Sequence, residues 1–521
     1  MKRMELTLEQ YRSKLRGCWM GKNIGGTLGA PFEAKRGLLN VHFYTQELHG
    51  EPWPNDDLDL QLVWLNAVEK YGRAVDANIL GEYWLSFITP HWGEYGAGKN
   101  NMRQGIVPPL SGYVNNAFRD SNGAYIRSEI WACLAPGRPE IAVQYAYEDA
   151  IVDHSGEGVY GEIFFAALQS AAFAESDMDK LIEIGLSYIP KDCDVAGAVH
   201  CALKAYREGL TWEEARIRLM HEFPSSFGIL SMNKEDIPDN VPVGPMGYDA
   251  PANVGITIIG WVYGEGDFGE SICIATNCGE DTDCTAATIG SIMGIIGGIE
   301  SIPERWSDPI GDAIKTLCIN LGDPGTRIPA TVTELTDRIV KLTPSFLGSS
   351  ICDVFVEKGY SIAMQEGEAL KCRQVRVNAF RETSFLERLA QGPFVVPFDF
   401  TIFQAEIDYG REPYIQASTP YKIRLRVENR IYFQQWIHVN WYVPPGWRVE
   451  EGKKTAFSLE QYHCNIGSKE LEFTIVPSEE LLDSRYDLVI ELTSQGRPTK
   501  GLIPLTLIHT PFPAPKGVMS I

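Results

Sequence analysis

The hydrophobic period of the chain changes near residue 347, and this change restricts the fold more than any other feature of the sequence. Before it, apolar residues recur every three or four positions, which is the period of an amphipathic helix. From about Val395 onward, apolar and polar residues alternate, which is the period of a strand with one buried face. We therefore predict an all-α domain over residues 1–347, a connector over residues 348–395 and an immunoglobulin-like β-sandwich over residues 396–521.

The two hydrophobic periods can be seen in individual segments. The helical period is strongest in Leu62–Tyr71, Gly161–Ala174, Met178–Ile189 and Val195–Glu208. Strand alternation recurs in runs that begin at Ile423, Ile437, Leu471, Leu488 and Leu505. Turn signals such as Pro444-Pro445-Gly446 separate these runs. About seven strands in ~115 residues are typical of an immunoglobulin-like sandwich.

Glycines recur at regular spacing in two helical segments. The first row is Gly17, Gly21, Gly25 and Gly29, and the second is Gly290, Gly294, Gly297 and Gly298. Each glycine inside a helix costs about 1 kcal/mol relative to alanine, so such rows need a compensating contact. Close packing of helix backbones is the favoured explanation, and close approach of a ligand is the alternative.

The charge balance excludes several classes of partner. The chain has 46 Lys and Arg against 68 Asp and Glu, a formal net charge of −22. Such a field repels phosphate backbones and anionic lipids, so we expect neither nucleic-acid backbone binding nor membrane binding. The longest apolar stretch, Ile289–Ile299, is interrupted by glycines and is too short for a membrane span of about 20 residues. The net charge does not exclude a small anionic ligand, since a metal ion can supply local positive charge.

Eleven cysteines are scattered along the chain, and none forms a C-x-x-C pair. An odd number without metal-ligand spacing indicates reduced thiols rather than a disulfide framework or a zinc knuckle. The N-terminal segment has the pattern of an amphipathic helix rather than that of a signal peptide. We therefore expect a soluble, cytoplasmic protein.

One motif is expected to be misleading. Residues 264–269 match the G-x-G-x-x-G pattern of dinucleotide sites, which requires a preceding strand and a parallel βαβ unit. The surroundings here have a helical period, and Glu265 and Asp267 within the motif would repel a pyrophosphate. A polar loop between two helices is the better interpretation.

Two acidic clusters, each at the start of an apolar helical segment, are the best candidates for a functional site. The first is Asn55-Asp56-Asp57-Leu58-Asp59, and the second is Glu280-Asp281-Thr282-Asp283. Acidic residues at a helix start can be simple N-caps, which would explain one or two of them. Three or four adjacent carboxylates raise one another's pKa unless a cation compensates their charge. Mg²⁺ prefers such oxygen ligands, so the clusters could hold a pair of ions and a substrate oxygen between them.

Five segments, in this order, resemble motifs of the ADP-ribosylglycohydrolase family. They are Gly17–Glu33, Asn55-Asp56-Asp57, Asn122–Arg127, Asp153–Gly158 and Gly279–Asp283. The first is similar to the R-G-x-x-x-G-x-x-x-G-D-x-x-G-x-x-x-E segment, and the second falls on the T-D-D-T metal motif. The others resemble G-N-G-x-x-M-R, the T-H helix entry and G-G-D-T-D-T. Order and spacing agree over about residues 10–310, and the C-terminal strands lie outside the resemblance.

The resemblance implies an all-α catalytic domain with a binuclear Mg²⁺ site, at which Mn²⁺ is an alternative ion. Carried over by position, the metal ligands are Asn55, Asp56, Asp57, Asp281 and Asp283. The implied catalytic carboxylates are Glu33 and Asp57. The implied substrate contacts are Asn122, His154, Gly279 and Glu280.

Several of these residues have a structural alternative. Glu33 could be a solvated residue after Pro31, and His154 could cap or orient a helix. Asn122 is at an Asn-Gly pair, where it could serve the turn. Arg127 is expected to pair with Glu129 rather than to bind a phosphate.

Several positions depart from the family motifs. Asn55 replaces the first Thr of T-D-D-T and keeps an oxygen, whereas Leu58 and Cys284 replace Thr with poor Mg²⁺ ligands. Gly26 replaces an Asp, and Glu280 replaces a Gly where a substrate could approach closely. These changes predict a weakened or remodelled metal position and a substrate that can differ from the family's usual one.

The leading hypothesis is a Mg²⁺-dependent hydrolase of a glycosidic bond to a ribose-type sugar, with ADP-ribose conjugates as the default substrate. A glycosidase or nucleoside hydrolase for another sugar is the first alternative. A catalytically inactive binding protein that keeps the fold is the second. The expected partner is a small molecule or a sugar conjugate.

The metal hypothesis makes a geometric prediction. Carboxylates of the two clusters must lie within about 10 Å of each other, because Mg²⁺–oxygen bonds are only ~2.1 Å long. We expect the two helices that follow the clusters to enter the core side by side, with Gly279 and Gly290 permitting the approach. Glu33 should reach the same cleft from the end of the first glycine-spaced helix.

Overall fold

A helical N-terminal part is followed by a strand-rich C-terminal part, as the change of period predicts. The computed structural model describes residues 4–224, 244–245, 247–320, 327–354, 359–372, 394–431, 433–460 and 467–509. The chain forms two compact units. The first comprises Met1–Asp76, Phe87–Gly98 and Gly112–Val377, and the second comprises Ala77–Ser86, Lys99–Ser111 and Asn378–Ile521. Two segments of the predicted helical range therefore belong to the unit that contains the C-terminal strands.

Helices occupy most of the described chain up to residue 347. They are α1 (Leu8–Gly29), α2 (Asp56–Tyr71), α3 (Ala77–Phe87), α4 (Gly93–Arg103), α5 (Leu110–Tyr113), α6 (Glu129–Leu134), α7 (Pro139–Ala150), α8 (Glu157–Ala171), α9 (Met178–Ser187), α10 (Asp194–Arg207), α11 (Trp212–Glu222), α12 (Ala250–Tyr263), α13 (Phe268–Asn277), α14 (Thr282–Gly297), α15 (Glu304–Ser307) and α16 (Val332–Leu347). Several begin at the capping residues that the sequence provides, such as Thr7 before α1 and Asp177 before α9.

Short strands connect distant parts of the helical unit. They are β1 (Glu5–Thr7), β2 (Lys35–Arg36), β3 (Gly244–Pro245), β4 (Gly279–Glu280), β5 (Cys352–Asp353) and β6 (Ser361–Ala363). They form two three-stranded sheets, in the orders β1-β6-β5 and β3-β2-β4. The second sheet matters for the site, because Lys35 pairs with Glu280 and so holds the chain after α1 beside the start of α14.

The glycine rows are explained by backbone packing of α1 against α14. A Cβ on Gly21 would lie 2.0 Å from the carbonyl oxygen of Gly290, and one on Gly17 would lie 2.2 Å from that of Gly294. Any larger residue would force the two backbones apart. Gly290 therefore serves contact with α1. The expectation that α14 runs beside α2 is wrong, since α14 lies along α1 and meets α2 near the helix ends.

The C-terminal strands build two five-stranded sheets, which pair mainly antiparallel. The strands are β7 (Val395–Asp399), β8 (Phe403–Asp408), β9 (Tyr414–Ile415), β10 (Tyr421–Asn429), β11 (Gln435–Tyr442), β12 (Arg448–Val449), β13 (Lys454–Leu459), β14 (Ser468–Val476), β15 (Arg485–Ser494) and β16 (Lys500–His509). The sheet orders are β12-β14-β10-β8-β7 and β13-β11-β15-β16-β9, with only β9 and β16 parallel among the described pairs.

Alternating residues of both sheets form the core of this strand-rich unit. Ile423, Leu425 and Val427 of β10 are buried, and the residues between them are exposed. The rings of Trp441 and Phe473, from different sheets, lie 5.2 Å apart between centroids, which is the contact expected inside a β-sandwich. The described residues contain more strands here than the predicted seven. β9 and β12 are each two residues long, too short to show an alternation.

Three further expectations can be compared with the described residues. Residues 264–267 of the G-x-G-x-x-G segment form a loop between α12 and α13, as predicted, and Asp267 caps α13, which begins with the last two residues of the motif. Every described cysteine is a free thiol. No described helix is long and apolar enough to cross a membrane.

Candidate metal centre

The first acidic cluster lies at the N-terminus of α2. Asn55 is the N-cap residue, and its side-chain oxygen accepts a hydrogen bond from the backbone N–H of Asp57 at 2.7 Å. Asp56 and Asp57 therefore occupy the first turn of the helix rather than the loop before it. Asp57 is buried and Asp56 is partly buried. The positive end of the helix dipole favours these carboxylates.

The second acidic cluster lies at the N-terminus of α14. The backbone N–H of Asp281 donates to the side-chain oxygen of Asn253 at 3.1 Å, and the hydroxyl of Thr282 donates to the carbonyl of Gly29 at 2.9 Å. A Cβ on Gly29 would lie 2.3 Å from the backbone nitrogen of Asp283. The close packing of α1 on α14 therefore sets the position of Asp283.

The structure brings the two clusters into contact. The side-chain amide of Asn55 donates to Asp283 Oδ2 at 3.1 Å. The thiol of Cys284 donates to Asp57 Oδ1, also at 3.1 Å. Both contacts join residues more than 220 positions apart in the chain. These distances are far below the separation that would exclude a shared centre.

Two sets of ligand atoms meet here, and they share one residue. Ligand atoms of Glu33, Asp281 and Asp283, the oxygen group, all lie within 4.8 Å of one another. Those of Asp57, Asp283 and Cys284, the thiol group, meet the same limit. Asp283 belongs to both groups, so it can bridge two neighbouring cation positions. Glu33 is the exposed member, and the other four residues are buried.

Asp56 lies beside these groups and is a member of neither. The hydroxyl of Tyr95, on α4, donates to Asp56 Oδ2 at 3.0 Å. Burial, followed by the nearby charge of Asp283, raises the pKa of Asp56 to about 6. Asp56 therefore remains available as an additional oxygen ligand at the edge of the cluster.

Three buried carboxylate oxygens of the cluster have no hydrogen-bond partner among the described residues. They are Asp57 Oδ2, Asp281 Oδ1 and Asp283 Oδ1. Buried polar atoms are almost always paired, so three such atoms in one place indicate a missing partner. A hard divalent cation takes several carboxylate oxygens as ligands. The residues present therefore fit a divalent cation.

The electrostatics lead to the same conclusion. Burial raises the pKa of Asp57 well above its usual value, and the charges of Asp283 and Asp56 add to the effect. Burial, and then the charge of Asp283, likewise raises the pKa of Asp281. For Glu33 the charge of Asp283 is the largest cause, followed by burial, and its pKa rises to about 8. A cation in the cluster would reverse these shifts by favouring the charged forms.

Two tyrosines contact the cluster, and the motifs of the sequence did not indicate them. Tyr95 binds Asp56, and the hydroxyl of Tyr248 donates to Glu33 Oε1 at 3.0 Å. Neither lies in a family-like motif, and a tyrosine before or within a helix carries no periodic signal of a site. Only the tertiary structure places these phenols on the two outer carboxylates.

A buried polar network beneath the cluster was also missed. The ammonium group of Lys22, on α1, donates to Glu129 at 3.1 Å and to the carbonyl of Ile126 at 2.5 Å. The side chain of Gln61 donates to the other oxygen of Glu129 at 2.9 Å. The charge of Lys22 opposes the rise in the pKa of Asp57. A lysine at a helix position with buried neighbours could have indicated such an internal ion pair.

Asn122 and His154, two implied substrate contacts, lie behind the cluster. The side-chain amide of Asn122 donates to Asp281 Oδ2 at 2.7 Å, so it orients a proposed ligand. The ring nitrogens of His154 lie 2.8 Å from Ser121 Oγ and 2.9 Å from Asp153 Oδ1. His154 is fully buried, so both residues have structural partners where substrate contacts were expected.

Gly279 and Glu280, the other implied substrate contacts, hold the segment before α14. Gly279 has φ +73° and packs against the carbonyl oxygens of Lys35 and Gly37, so a Cβ has no room there. The carboxylate of Glu280 is buried between Arg36 at 3.1 Å and Arg216 at 3.0 Å. The charge that we expected to meet a substrate is therefore engaged in two internal ion pairs.

Asp59 and Arg127 have other partners in the structure than the sequence suggested. Asp59 Oδ2 accepts hydrogen bonds from the backbone N–H groups of Leu317 and Cys318, each at 2.6 Å, so it anchors a loop. Arg127 was expected to pair with Glu129. It binds Asp149 and Asp153 instead, at 2.8 Å and 2.5 Å.

The match to a known family agrees with this geometry. The sequence model of the family described as ADP-ribosylglycohydrolase matches residues 7–344. That stretch is more than half of the 521 residues. The chain belongs to the ADP-ribosylglycohydrolase family. No curated protein sequence matches it.

Solved structures give weaker likenesses to this ADP-ribosylglycohydrolase family member. A chain of an ADP-ribosylglycohydrolase-related protein complex is 18% identical, with 65% of this chain and 98% of that chain covered and a TM-score of 0.38. The cupredoxin domain of amoB from Nitrosocaldus yellowstonii is 10% identical, covering 25% and 97%, with a TM-score of 0.16. PapD-like domain 7 of human CEP192 is 16% identical, covering 21% and 86%, with a TM-score of 0.16. Because these scores are low, the family assignment rests on the sequence match.

Membership in the ADP-ribosylglycohydrolase family supports a glycohydrolase that acts on a small molecule or a sugar conjugate. The family is known for a metal site, and the acidic groups described above are able to bind a metal. Two departures from the family motifs face each other: a Cβ on Gly26 would lie 2.8 Å from the side-chain nitrogen of Asn55. The loss of a side chain at residue 26 thus makes room for Asn55.

Proposed function

We propose that this protein is a Mg²⁺-dependent glycohydrolase that cleaves a glycosidic bond to a ribose-type sugar, with ADP-ribose conjugates as the default substrate. The observation that carries the proposal is the set of three buried, unpartnered carboxylate oxygens on Asp57, Asp281 and Asp283. They come from two segments that are far apart in sequence and adjacent in space. Family membership supplies the reaction class.

The ligands proposed for the cation are the carboxylates of Asp56, Asp57, Asp281 and Asp283. A bound divalent ion would supply fixed positive charge that orients sugar hydroxyls and stabilises negative charge developing on oxygen. Asn55 uses its side-chain oxygen for the N-cap and its amide for Asp283, so it enters the proposal as a positioning residue. Asn122 has the same role toward Asp281.

Glu33 is the proposed general base. It is the exposed carboxylate of the cluster, so it is the one that solvent can reach. In hydrolysis it would take a proton from a water molecule while the water oxygen bonds to the anomeric carbon and the glycosidic bond breaks. The leaving group retains the electron pair of that bond and takes up a proton from solvent, and Glu33 then releases to solvent the proton that it accepted. The hydroxyl of Tyr248 fixes the orientation of the Glu33 carboxylate.

Asp57 has a different role from Glu33 in this proposal. It was expected to be both ligand and catalytic carboxylate, but its side chain is 2% exposed and one oxygen accepts from Cys284. A buried carboxylate of this kind is suited to hold an ion and is poorly placed to exchange protons with water. Asp57 is therefore proposed as a ligand.

Titration calorimetry with Mg²⁺ and Mn²⁺ tests the metal dependence. Asp281→Asn should remove most of the binding, and the control Asp179→Asn, at an exposed acid on α9, should leave it unchanged. Absence of binding to the unaltered protein, or equal binding to Asp281→Asn, would reject the proposal. Glu33→Gln should abolish hydrolysis while the protein still binds an ion.

Substrate identity needs a separate assay. Release of ADP-ribose from modified arginine, serine or DNA should require the ion and Glu33 if the default substrate is correct. The change at Cys284 favours the alternative of another sugar or a nucleoside, because it alters the wall of the site next to Asp57. Hydrolysis of ribosides other than ADP-ribose conjugates would select that alternative. Ion binding without hydrolysis of any glycoside would identify a binding protein.

A further inference from the structure

The two ligand groups of the candidate metal centre differ in chemistry. The oxygen group (Glu33, Asp281 and Asp283) offers carboxylate oxygens alone. The thiol group (Asp57, Asp283 and Cys284) adds a sulfur atom. Mg²⁺ binds oxygen ligands in octahedral geometry and keeps several waters, whereas sulfur selects softer cations. Mg²⁺ therefore suits the oxygen group and does not suit the thiol group.

The thiol group has the dimensions of a site for a borderline cation such as Zn²⁺. Zn²⁺ binds sulfur at about 2.3 Å and carboxylate oxygen at about 2.0 Å, so two such ligands in a tetrahedron lie roughly 3.5 Å apart. The sulfur of Cys284 lies 3.1 Å from Asp57 Oδ1. All three ligand atoms lie within 4.8 Å of one another. The three ligand atoms are therefore close enough to share one ion.

A second observation shows that the thiol group lacks a partner. Asp57 is 2% exposed and Asp283 is 3% exposed, yet Asp57 Oδ2 and Asp283 Oδ1 have no hydrogen-bond partner among the described residues. The nearby ammonium group of Lys22 does not fill this need, because its own contacts are Glu129 and the carbonyl of Ile126. Lys22 acts on Asp57 and Cys284 through its charge alone, so among the described residues no cation is in contact with the two unpartnered oxygens.

We propose that this chain holds two unlike cations: Mg²⁺ at the carboxylates of Asp281 and Asp283, with Glu33 left as the general base, and a borderline, thiolate-binding cation of the Zn²⁺ class at the thiol group. The inference rests on the proposed metal dependence and extends it to the identity of the second ion. On binding, the proton of the Cys284 thiol passes to solvent and a sulfur–metal bond forms in its place. Asp283, which belongs to both groups, would be the ligand that the two positions share.

Cadmium is a suitable probe, because a cadmium–thiolate bond gives an ultraviolet charge-transfer band. The full-length protein, freed of metal and saturated with Mg²⁺, should bind one further Cd²⁺ with this band. Cys284→Thr, which restores the residue of the family motif, should lose the band, lower Cd²⁺ affinity by more than about tenfold and bind a second Mg²⁺. The control Cys273→Ser, at a buried cysteine on α13, should keep the band.

Each outcome of this titration has a defined meaning. A band that persists in Cys284→Thr, or two equivalent Mg²⁺ ions in the unaltered protein, would overturn the inference. So would one Mg²⁺ with no cadmium band. If the band depends on Cys284 but Mg²⁺ does not bind, the inference about the thiol group stands and the proposed Mg²⁺-dependent function fails. Cys284→Ser gives a second readout, because it keeps the size of the side chain and removes the sulfur.

Discussion

Exchange of Gly29 for alanine should weaken cation binding without altering any ligand. A Cβ on Gly29 would lie 2.3 Å from the backbone nitrogen of Asp283, whereas ordinary contact begins at 3.4 Å. The start of α14 would therefore have to move by about 1.1 Å relative to α1. Metal–oxygen bonds of ~2.1 Å do not tolerate a ligand displaced by that amount. We expect the Mg²⁺ affinity to fall by about 10–100-fold, as when a supporting contact of a ligand is lost.

Gly17→Ala is a matched control on the same pair of helices. A Cβ there would lie 2.2 Å from the carbonyl oxygen of Gly294, so the crowding is equal. Gly17 lies twelve residues before Gly29 in α1, which places it about 18 Å from the site end of the helix. Both variants should lose about 1–3 kcal/mol of stability, the usual cost of an overfilled core.

Calorimetric Mg²⁺ titration and thermal unfolding of both variants separate the two effects. The expected result is a similar loss of stability in both and a loss of Mg²⁺ affinity in Gly29→Ala alone. Unchanged Mg²⁺ affinity in Gly29→Ala would refute the reasoning that the approach of α1 sets the position of Asp283. A loss of affinity in Gly17→Ala of the same size would refute it as well, since that change is remote from every proposed ligand.

Three other predictions follow from single contacts. Asn122→Ala, which removes the donor to Asp281, should lower Mg²⁺ affinity by about 10–100-fold in titration calorimetry while circular dichroism stays unchanged. The pKa of Glu33 is raised from 4.5 to about 8, so the folded state binds more protons than the unfolded state between these values. The melting temperature of the metal-free protein should thus fall as pH rises from 4.5 to 8, and saturating Mg²⁺ should reduce this fall. Glu280→Gln leaves Arg216 without its buried counter-charge, and chemical denaturation should show a loss of about 3–5 kcal/mol.

Residue types and their periods were sufficient to predict the two folds and the composition of the acidic cluster. Helical and strand periods are local properties, and they survive in the structure because each element buries the face that its sequence makes apolar. The carboxylates of Asp57, Asp281 and Asp283 were identified because several acids in one place need compensation wherever they lie. That argument depends on chemistry and needs no knowledge of the path of the chain.

The partners of individual side chains could not be predicted in the same way. Glu280 is adjacent to Asp281 in sequence, yet its carboxylate turns to Arg36 and Arg216, which lie on other elements. Both ring nitrogens of His154 are within hydrogen-bond distance of protein side chains, Ser121 and Asp153. A motif specifies that a residue is near a site, whereas the direction of its side chain depends on distant segments. The pairing of α14 with α1 rather than α2 has the same origin, because it required matching two glycine rows across the chain.

The departures from the family motifs become intelligible when they are grouped by position in space. In the sequence Gly26, Asn55 and Cys284 are separate changes. In the structure Gly26 gives room to Asn55, Asn55 donates to Asp283, and Cys284 donates to Asp57. All three therefore lie on the side of the cluster formed by Asp57 and Asp283, where the thiol group is. Of the other two departures, Leu58 is buried in the core and Glu280 pairs with Arg36 and Arg216, so neither offers a ligand. Three of the five departures thus meet where Asp57 and Asp283 face Cys284, which is the pattern expected when the ion at that position changes its identity.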